Sequence, residues 1–145
     1  MNLSRHFTLD EATMSQTASR KGIANTPTAE ALTNMMDAAA QLEEVRLLLA
    51  APINVSSWYR GPKLNSAIGG ASMSAHLFGY AIDFTAAEFG PPLEICRAIR
   101  DSKLVFDQLI MEGTWVHISF DPRRRRQVLT AHFSPGAVTY TQGLG

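Results

Sequence analysis

Two short stretches set the strongest constraint on how this chain can fold: Ser74-Ala75-His76-Leu77-Phe78-Gly79-Tyr80-Ala81-Ile82-Asp83 and, well downstream, Trp115-Val116-His117. Two imidazoles and a carboxylate make three protein ligands and leave a fourth tetrahedral position for water, the arrangement of catalytic rather than structural zinc. A fold that uses them must bring one loop and two strands to a single point. The local patterns allow this. Tyr80, Ile82 and Phe84 alternate with Ala81 and Asp83, so a strand here carries the Asp83 carboxylate on the face of Ala81. Trp115, His117 and Ser119 alternate in the same way with Val116, Ile118 and Phe120. Gly79 suits a tight turn leading from His76 into the first strand.

Each ligand taken alone has a plainer explanation. A histidine in an apolar strand is more often a hydrogen-bonded core residue, and a strand aspartate is more often in a salt bridge. An ionised carboxylate left unpaired beside a core is costly, however, and a metal ion is one of the few groups that compensates fully. The complete Ser-x-His-x-x-Gly-x-Ala-x-Asp spacing with a later Trp-x-His therefore points to one zinc ion held by His76, Asp83 and His117.

The rest of the sequence is compatible with a small hydrolytic domain. Its 145 residues fit a single domain over 1–145, with 136–145 expected as a loosely held tail. Thirteen basic and thirteen acidic side chains give no net charge, which argues against nucleic-acid binding by phosphate neutralisation. The run Arg123-Arg124-Arg125-Arg126 is the local exception; it reads as a solvated turn or strand end, with a role in holding anionic wall polymers as the alternative. Cys96 has no partner for an intrachain disulfide and falls in an apolar-periodic segment, as a buried structural thiol would. No secretion signal and no membrane-spanning run is visible, and a monomer without membrane insertion is expected.

Periodicity predicts an α+β fold with helices first and strands later. Thr8 and Glu11 form a capping-box start, and 28–51 is a long amphipathic helix whose stripe is Leu32, Met35, Met36, Ala39, Leu42, Val45, Leu48 and Leu49. A strand follows at 53–56, a short helix at 63–68, a strand at 81–84 and a second main helix at 91–102. Strands at 106–111 and 115–120 flank a Glu112-Gly113 turn, and 127–133 adds an edge strand.

The ligand motif resembles that of the M15 metallopeptidases, zinc-dependent D-alanyl-D-alanine carboxypeptidases and related murein endopeptidases that include phage endolysins. Ser57-Trp58-Tyr59-Arg60-Gly61-Pro62-Lys63-Leu64-Asn65 with Ile68-Gly69-Gly70 is similar to the block preceding the ligands in the phage-type branch. So are Leu3 to Glu11 and Asn25-Thr26-Pro27, and the resemblance extends over nearly the whole chain. It implies N-terminal helices packed on a small, mainly antiparallel sheet, as in hedgehog and DD-peptidase domains. It also implies a peptidoglycan stem peptide as substrate. An enzyme of this kind without a signal would reach the cell wall through phage release machinery or in the virion.

Within that resemblance, Arg60 matches the family's arginine that faces substrate, with a structural salt bridge as the alternative. Ser74 orients substrate or a ligand, or else stabilises its turn. Trp58 and Tyr59 either line the cleft or pack. The catalytic base is the least direct assignment. Several M15 branches place an acid three positions before the last histidine, and that position is Thr114 here. Glu112 is the nearest acid, with Glu88 and Asp107 as poorer substitutes, but five extended residues cover roughly 16 Å, so it reaches the metal only if the hairpin bends or bulges. Three classes of function follow: a murein peptidase, a non-catalytic zinc-bearing module of the same fold, and a virion structural protein. Carboxypeptidase and endopeptidase activity are not separated by sequence, because the distinction lies in loops.

Overall fold

The computed structural model describes residues 1–71 and 73–145. Six strands form one sheet in the order β1-β2-β4-β3-β5-β6: β1 (Asn54–Ser57), β2 (Ala81–Thr85), β3 (Gln108–Met111), β4 (Val116–Ser119), β5 (Gln127–Ser134) and β6 (Ala137–Gln142). Neighbours run antiparallel except β3 and β5, which are parallel. Five helices accompany it: α1 (Leu9–Thr13), α2 (Gln16–Lys21), α3 (Ala29–Leu49), α4 (Pro62–Ala67) and α5 (Pro92–Arg100), with a 3-10 turn over Ala75–Phe78. This is the α+β arrangement expected from the sequence. Among the described residues, no helix is long and apolar enough to cross a membrane.

The two faces of the sheet do different things, and the strand period separates them. Residues paired across strands share a face, and successive residues alternate between faces. Ile82 pairs with Ile118 and Ile118 with Leu109; Phe84 pairs with Val116. These apolar rows are fully buried with Met35, Leu42 and Val45 of α3 and Ile95 and Ile99 of α5, so the helices cover that face. The opposite face carries the row Asp83, His117, Ile110, Leu129 and Gln142. Among the described residues, no helix lies between that row and the cleft described below.

Local chemistry sets the helix ends. Thr8 caps α1 through its hydroxyl, which accepts from the Glu11 N–H, while the Glu11 carboxylate accepts from the Thr8 N–H. Ser15 caps α2, a helix too short to show periodicity and absent from the sequence-based expectation. The apolar stripe of α3 is narrower than expected: Met36 and Leu48 are exposed, and the buried positions include Ala31 and Ala38. Ala31 lowers the profile of the helix where the 3-10 turn lies against it.

Gly79 is where that approach is closest. It has φ +83°, and a Cβ placed there would sit 2.6 Å from Met35 Cγ and 2.8 Å from the Ala31 carbonyl oxygen. The left-handed conformation and the main-chain obstruction both require glycine. Gly79→Ala is expected to cost about 2–4 kcal/mol, the sum of backbone strain and overpacking, read as a lowered midpoint in urea with an unchanged slope. A midpoint equal to wild type would show that α3 can retreat at no cost.

Two expectations are corrected, the loose tail and the edge position of 127–133. Residues 137–142, within the expected loose tail, form β6, paired with β5 from Ser134↔Ala137 to Leu129↔Gln142. The Val138-Thr139-Tyr140-Thr141 stretch has high strand propensity, and Gly136 at φ +77° supplies the turn. Strand β5 is consequently interior, and β6 is the edge. The arginine run is an exposed turn, as expected, but two of its side chains are tied down. Arg125 grips Asp107 with Nε and Nη2 at 2.9 and 3.0 Å, and Arg126 donates to the Leu104 and Ser102 carbonyls while its guanidinium carbon lies 4.6 Å from the Phe106 ring centroid. Trp58 and Tyr59 pack in the core rather than line the cleft; Cys96 is buried as expected, its thiol pushed up to about 12 by burial.

Candidate active site

His76 is placed by a compact set of hydrogen bonds that begin at the residues before α4. The Ser74 hydroxyl accepts from the His76 N–H and caps the 3-10 turn, which is the turn-stabilising alternative for Ser74. Trp58 donates from Nε1 to the Gly79 carbonyl, and the Arg60 N–H donates to the His76 carbonyl at 3.1 Å. His76 Nδ1 lies 2.6 Å from the Trp58 carbonyl oxygen. A carbonyl can only accept, so Nδ1 carries the proton and Nε2 is left with its lone pair. Asn25 secures the same loop from the other side, donating to the Tyr59 carbonyl and accepting from the Gly61 N–H.

Asp83 and His117 come from adjacent strands in direct register, β2 and β4. Asp83 Oδ1 lies 2.9 Å from His117 Nδ1 and 3.4 Å from His76 Nε2. Its other oxygen is held by Arg60 Nη2 at 3.3 Å, and Arg60 Nε in turn donates to the Ser57 hydroxyl. The β1 bulge between Val55 and Ser57 puts Ser57 opposite Asp83, within reach of that guanidinium. Arg60 therefore fixes the aspartate, the structural alternative for this residue, while also lining the cleft. Burial pushes the Asp83 carboxyl up, but the hydrogen bond with His117 and the adjoining imidazoles outweigh it and keep it well below the usual carboxylate range. Burial also depresses His76, against the opposing pull of Asp83, and so favours the neutral imidazole a metal requires.

One donor atom from each of His76, Asp83 and His117 lies within 4.8 Å of the others. Tetrahedral ligands about 2.0–2.2 Å from a zinc ion stand roughly 3.3–3.6 Å apart, and the 2.9 and 3.4 Å separations of Asp83 Oδ1 from the two imidazoles are close to that range. The donor set fits zinc: two nitrogens and one carboxylate oxygen, with the Trp58 carbonyl and Arg60 guanidinium orienting two of the three from behind.

Glu112 reaches this group through the hairpin. The Glu112 N–H donates to the Trp115 carbonyl at 3.0 Å, and Gly113, at φ +77°, closes the turn. Since Ile110 is opposite His117, Glu112 is the diagonal neighbour of His117 on the same face, about 7–8 Å away rather than the 16 Å of an extended chain. Folding back at the turn suffices, and no bulge is involved. Its carboxyl lines the cleft, where burial raises it above the ordinary range; His117 and Arg60 counter this and Asp83 adds to it.

Ser74, Arg60, Glu112 and the three ligands thus border a single cleft of about 480 Å³. The sequence matches the Peptidase M15 family over residues 5–119, well over half of the chain. The chain belongs to the Peptidase M15 family. M15 enzymes are zinc metallopeptidases, and His76, Asp83 and His117 form a group that could hold such an ion. A comparison with curated proteins finds no match.

Several M15 cleft residues escaped the sequence reading. The Trp58 contribution is a carbonyl, which no side-chain pattern reveals. Ile110, Leu129 and Tyr140 share the ligand face by strand register, and alternation in 137–142 was the available signal for Tyr140. Asp107, considered as a substitute base, is closed off at 1 % exposure and committed to Arg125. Glu88 is not among the cleft residues.

Proposed function

We propose that this M15 peptidase uses one zinc ion, bound by His76, Asp83 and His117, to hydrolyse peptide bonds in peptidoglycan stem peptides. The observation that carries this is the convergence of the three donor atoms on the wall of a cleft that also holds the Glu112 carboxyl. Zinc in such a site supplies Lewis acidity and lowers the pKa of a coordinated water toward about 7. Glu112 accepts the proton of the attacking water and returns it to the leaving amine. A raised carboxyl suits both halves of that task. Arg60 holds Asp83 in orientation and offers the cleft a positive charge, suited to a substrate carboxylate or a developing oxyanion. Ser74 keeps the His76 turn in place beside the substrate path.

A non-catalytic zinc module would have no use for a half-buried acid diagonal to a ligand, which favours the enzyme. The sequence resemblance to phage-type enzymes is the support for placing the activity at the bacterial cell wall in a lysis setting. Mass spectrometry of purified peptidoglycan after incubation tests the reading directly. Hydrolysis of stem peptides is expected, abolished by a chelator and restored by zinc. Release of free D-alanine would identify a carboxypeptidase, and cleavage between L-Ala and D-Glu an endopeptidase; intact stem peptides with the zinc-loaded protein would overturn the proposal.

A further inference from the structure

We propose that Arg123 and Arg125 form an anion subsite at the far end of the catalytic cleft, which takes a carboxylate carried by the substrate peptide at a distance from the bond to be cleaved. The inference rests on the peptidase reading above and concerns residues beyond the stretch matched to the family.

The cleft does not end at the ligands. It continues over Ile110 and Leu129 to Asp107, Arg123 and Arg125. Ile110 is opposite His117, and Asp107 lies three positions earlier in the chain, so the arginines stand about 10 Å along the strand direction from the ligands, some three residues of extended peptide. The floor between is polar: Gln108 and Ser119, paired two residues along the strands from Ile110 and His117, line the cleft on the way to Asp107. A peptide lying there meets the candidate zinc ligands at one end, hydrogen-bonding side chains in the middle and guanidinium groups at the other.

Burial within the arginine group is graded in the direction a binding site needs. The Asp107 side chain is 1 % exposed, whereas those of Arg125 and Arg123 are 43 % and 58 % exposed. Asp107 accepts from the Arg125 N–H, Nε and Nη2, and Arg123 Nη2 lies 3.4 Å from its second oxygen. Asp121 accepts from Arg123 Nε. Two carboxylates, Asp107 and Asp121, anchor the arginines, and the guanidinium groups are the more exposed members where the group meets the cleft. Backbone geometry points the same way. Arg124 and Arg126 both have positive φ, at 50° and 52°, a conformation that arginine adopts at a cost. This pair of left-handed residues on either side of Arg125 directs Arg123 and Arg125 onto Asp107. Only the aspartate of these pairs is buried; both guanidinium groups are exposed and keep N–H donors beyond those given to Asp107 and Asp121, which suits recognition of a further carboxylate at the cleft.

The test uses synthetic stem pentapeptides ending in D-Ala-D-Ala that differ only in whether the D-glutamate α-carboxyl is free or amidated. Their binding to the zinc-loaded Glu112→Gln protein is measured by calorimetry, so that hydrolysis plays no part. The free carboxylate is expected to bind about tenfold more tightly than the amide. Arg123→Gln and Arg125→Gln, each added to that background, should reduce the ratio toward one while leaving the amidated peptide's affinity unchanged. Arg125→Gln unpairs a buried aspartate and could fail to fold; Arg123→Gln leaves the Asp107–Arg125 pair intact and carries the test by itself. Equal affinity for both peptides overturns the subsite while the peptidase reading stands, as does an equal loss on both in the Arg123 variant. Binding of neither peptide overturns both.

Discussion

Alanine at His117 is expected to leave a folded protein that no longer retains zinc after dialysis and no longer cleaves stem peptides. His117 stands on a strand interior to the sheet, and its ring meets Asp83 and His76 without carrying the main-chain network of its neighbours. Removing it deletes a ligand while leaving the Asp83–Arg60 pair and the Trp58–His76 hydrogen bond in place. Loss of a group that merely orients a ligand costs roughly 10–100-fold in metal affinity, so deleting a ligand itself should exceed about a hundredfold. His76→Ala should behave likewise with an added loss of stability, because Trp58 and the 3-10 turn lose a buried partner. Elemental analysis decides: wild-type zinc content in both variants would remove the site.

Glu112→Gln should separate metal binding from chemistry. Glutamine keeps the shape of the side chain and the main-chain hydrogen bond to Trp115 but cannot take a proton from water. Zinc content and thermal midpoint should match wild type, while kcat falls on the order of a hundredfold to ten-thousandfold, the contribution of a positioned acid-base group. A small change in KM would agree with a role confined to the transition state. Full activity in this variant would transfer the task to another group, and Asp107 is an unsuitable heir because Arg125 and Arg123 hold it below the usual carboxylate range despite its burial.

How much of this was legible differs from residue to residue. The ligands could be read because a chelating triad demands particular residue types at a particular spacing, and the alternation around Asp83 and His117 placed both side chains on one sheet face. Glu112 was legible as an acid but not in its position. Chain distance exaggerates separation wherever a turn brings strands back beside each other, and the Glu112-Gly113-Thr114-Trp115 turn does so. Strand β6 is hard to read although its residues favour extended structure, because nearness to the chain end favours a loose tail. Helix α2 has six residues, fewer than two turns, and carries no readable period.

Sequence by itself determined the chemistry available to this protein: a nitrogen and oxygen donor set for zinc, an acid near the last ligand, an arginine before the first, and strands whose alternation keeps ligands off the helix-covered face. Tertiary structure alone decided which atoms act on which. The Trp58 carbonyl sets the His76 tautomer, Arg60 holds one Asp83 oxygen, and the exposed arginine turn contributes Arg123 and Arg125 to the cleft wall. The physical reason is common to all three. Each depends on contacts between residues distant in the chain, made through main-chain atoms or shared carboxylates, and such contacts leave no spacing for a sequence to display.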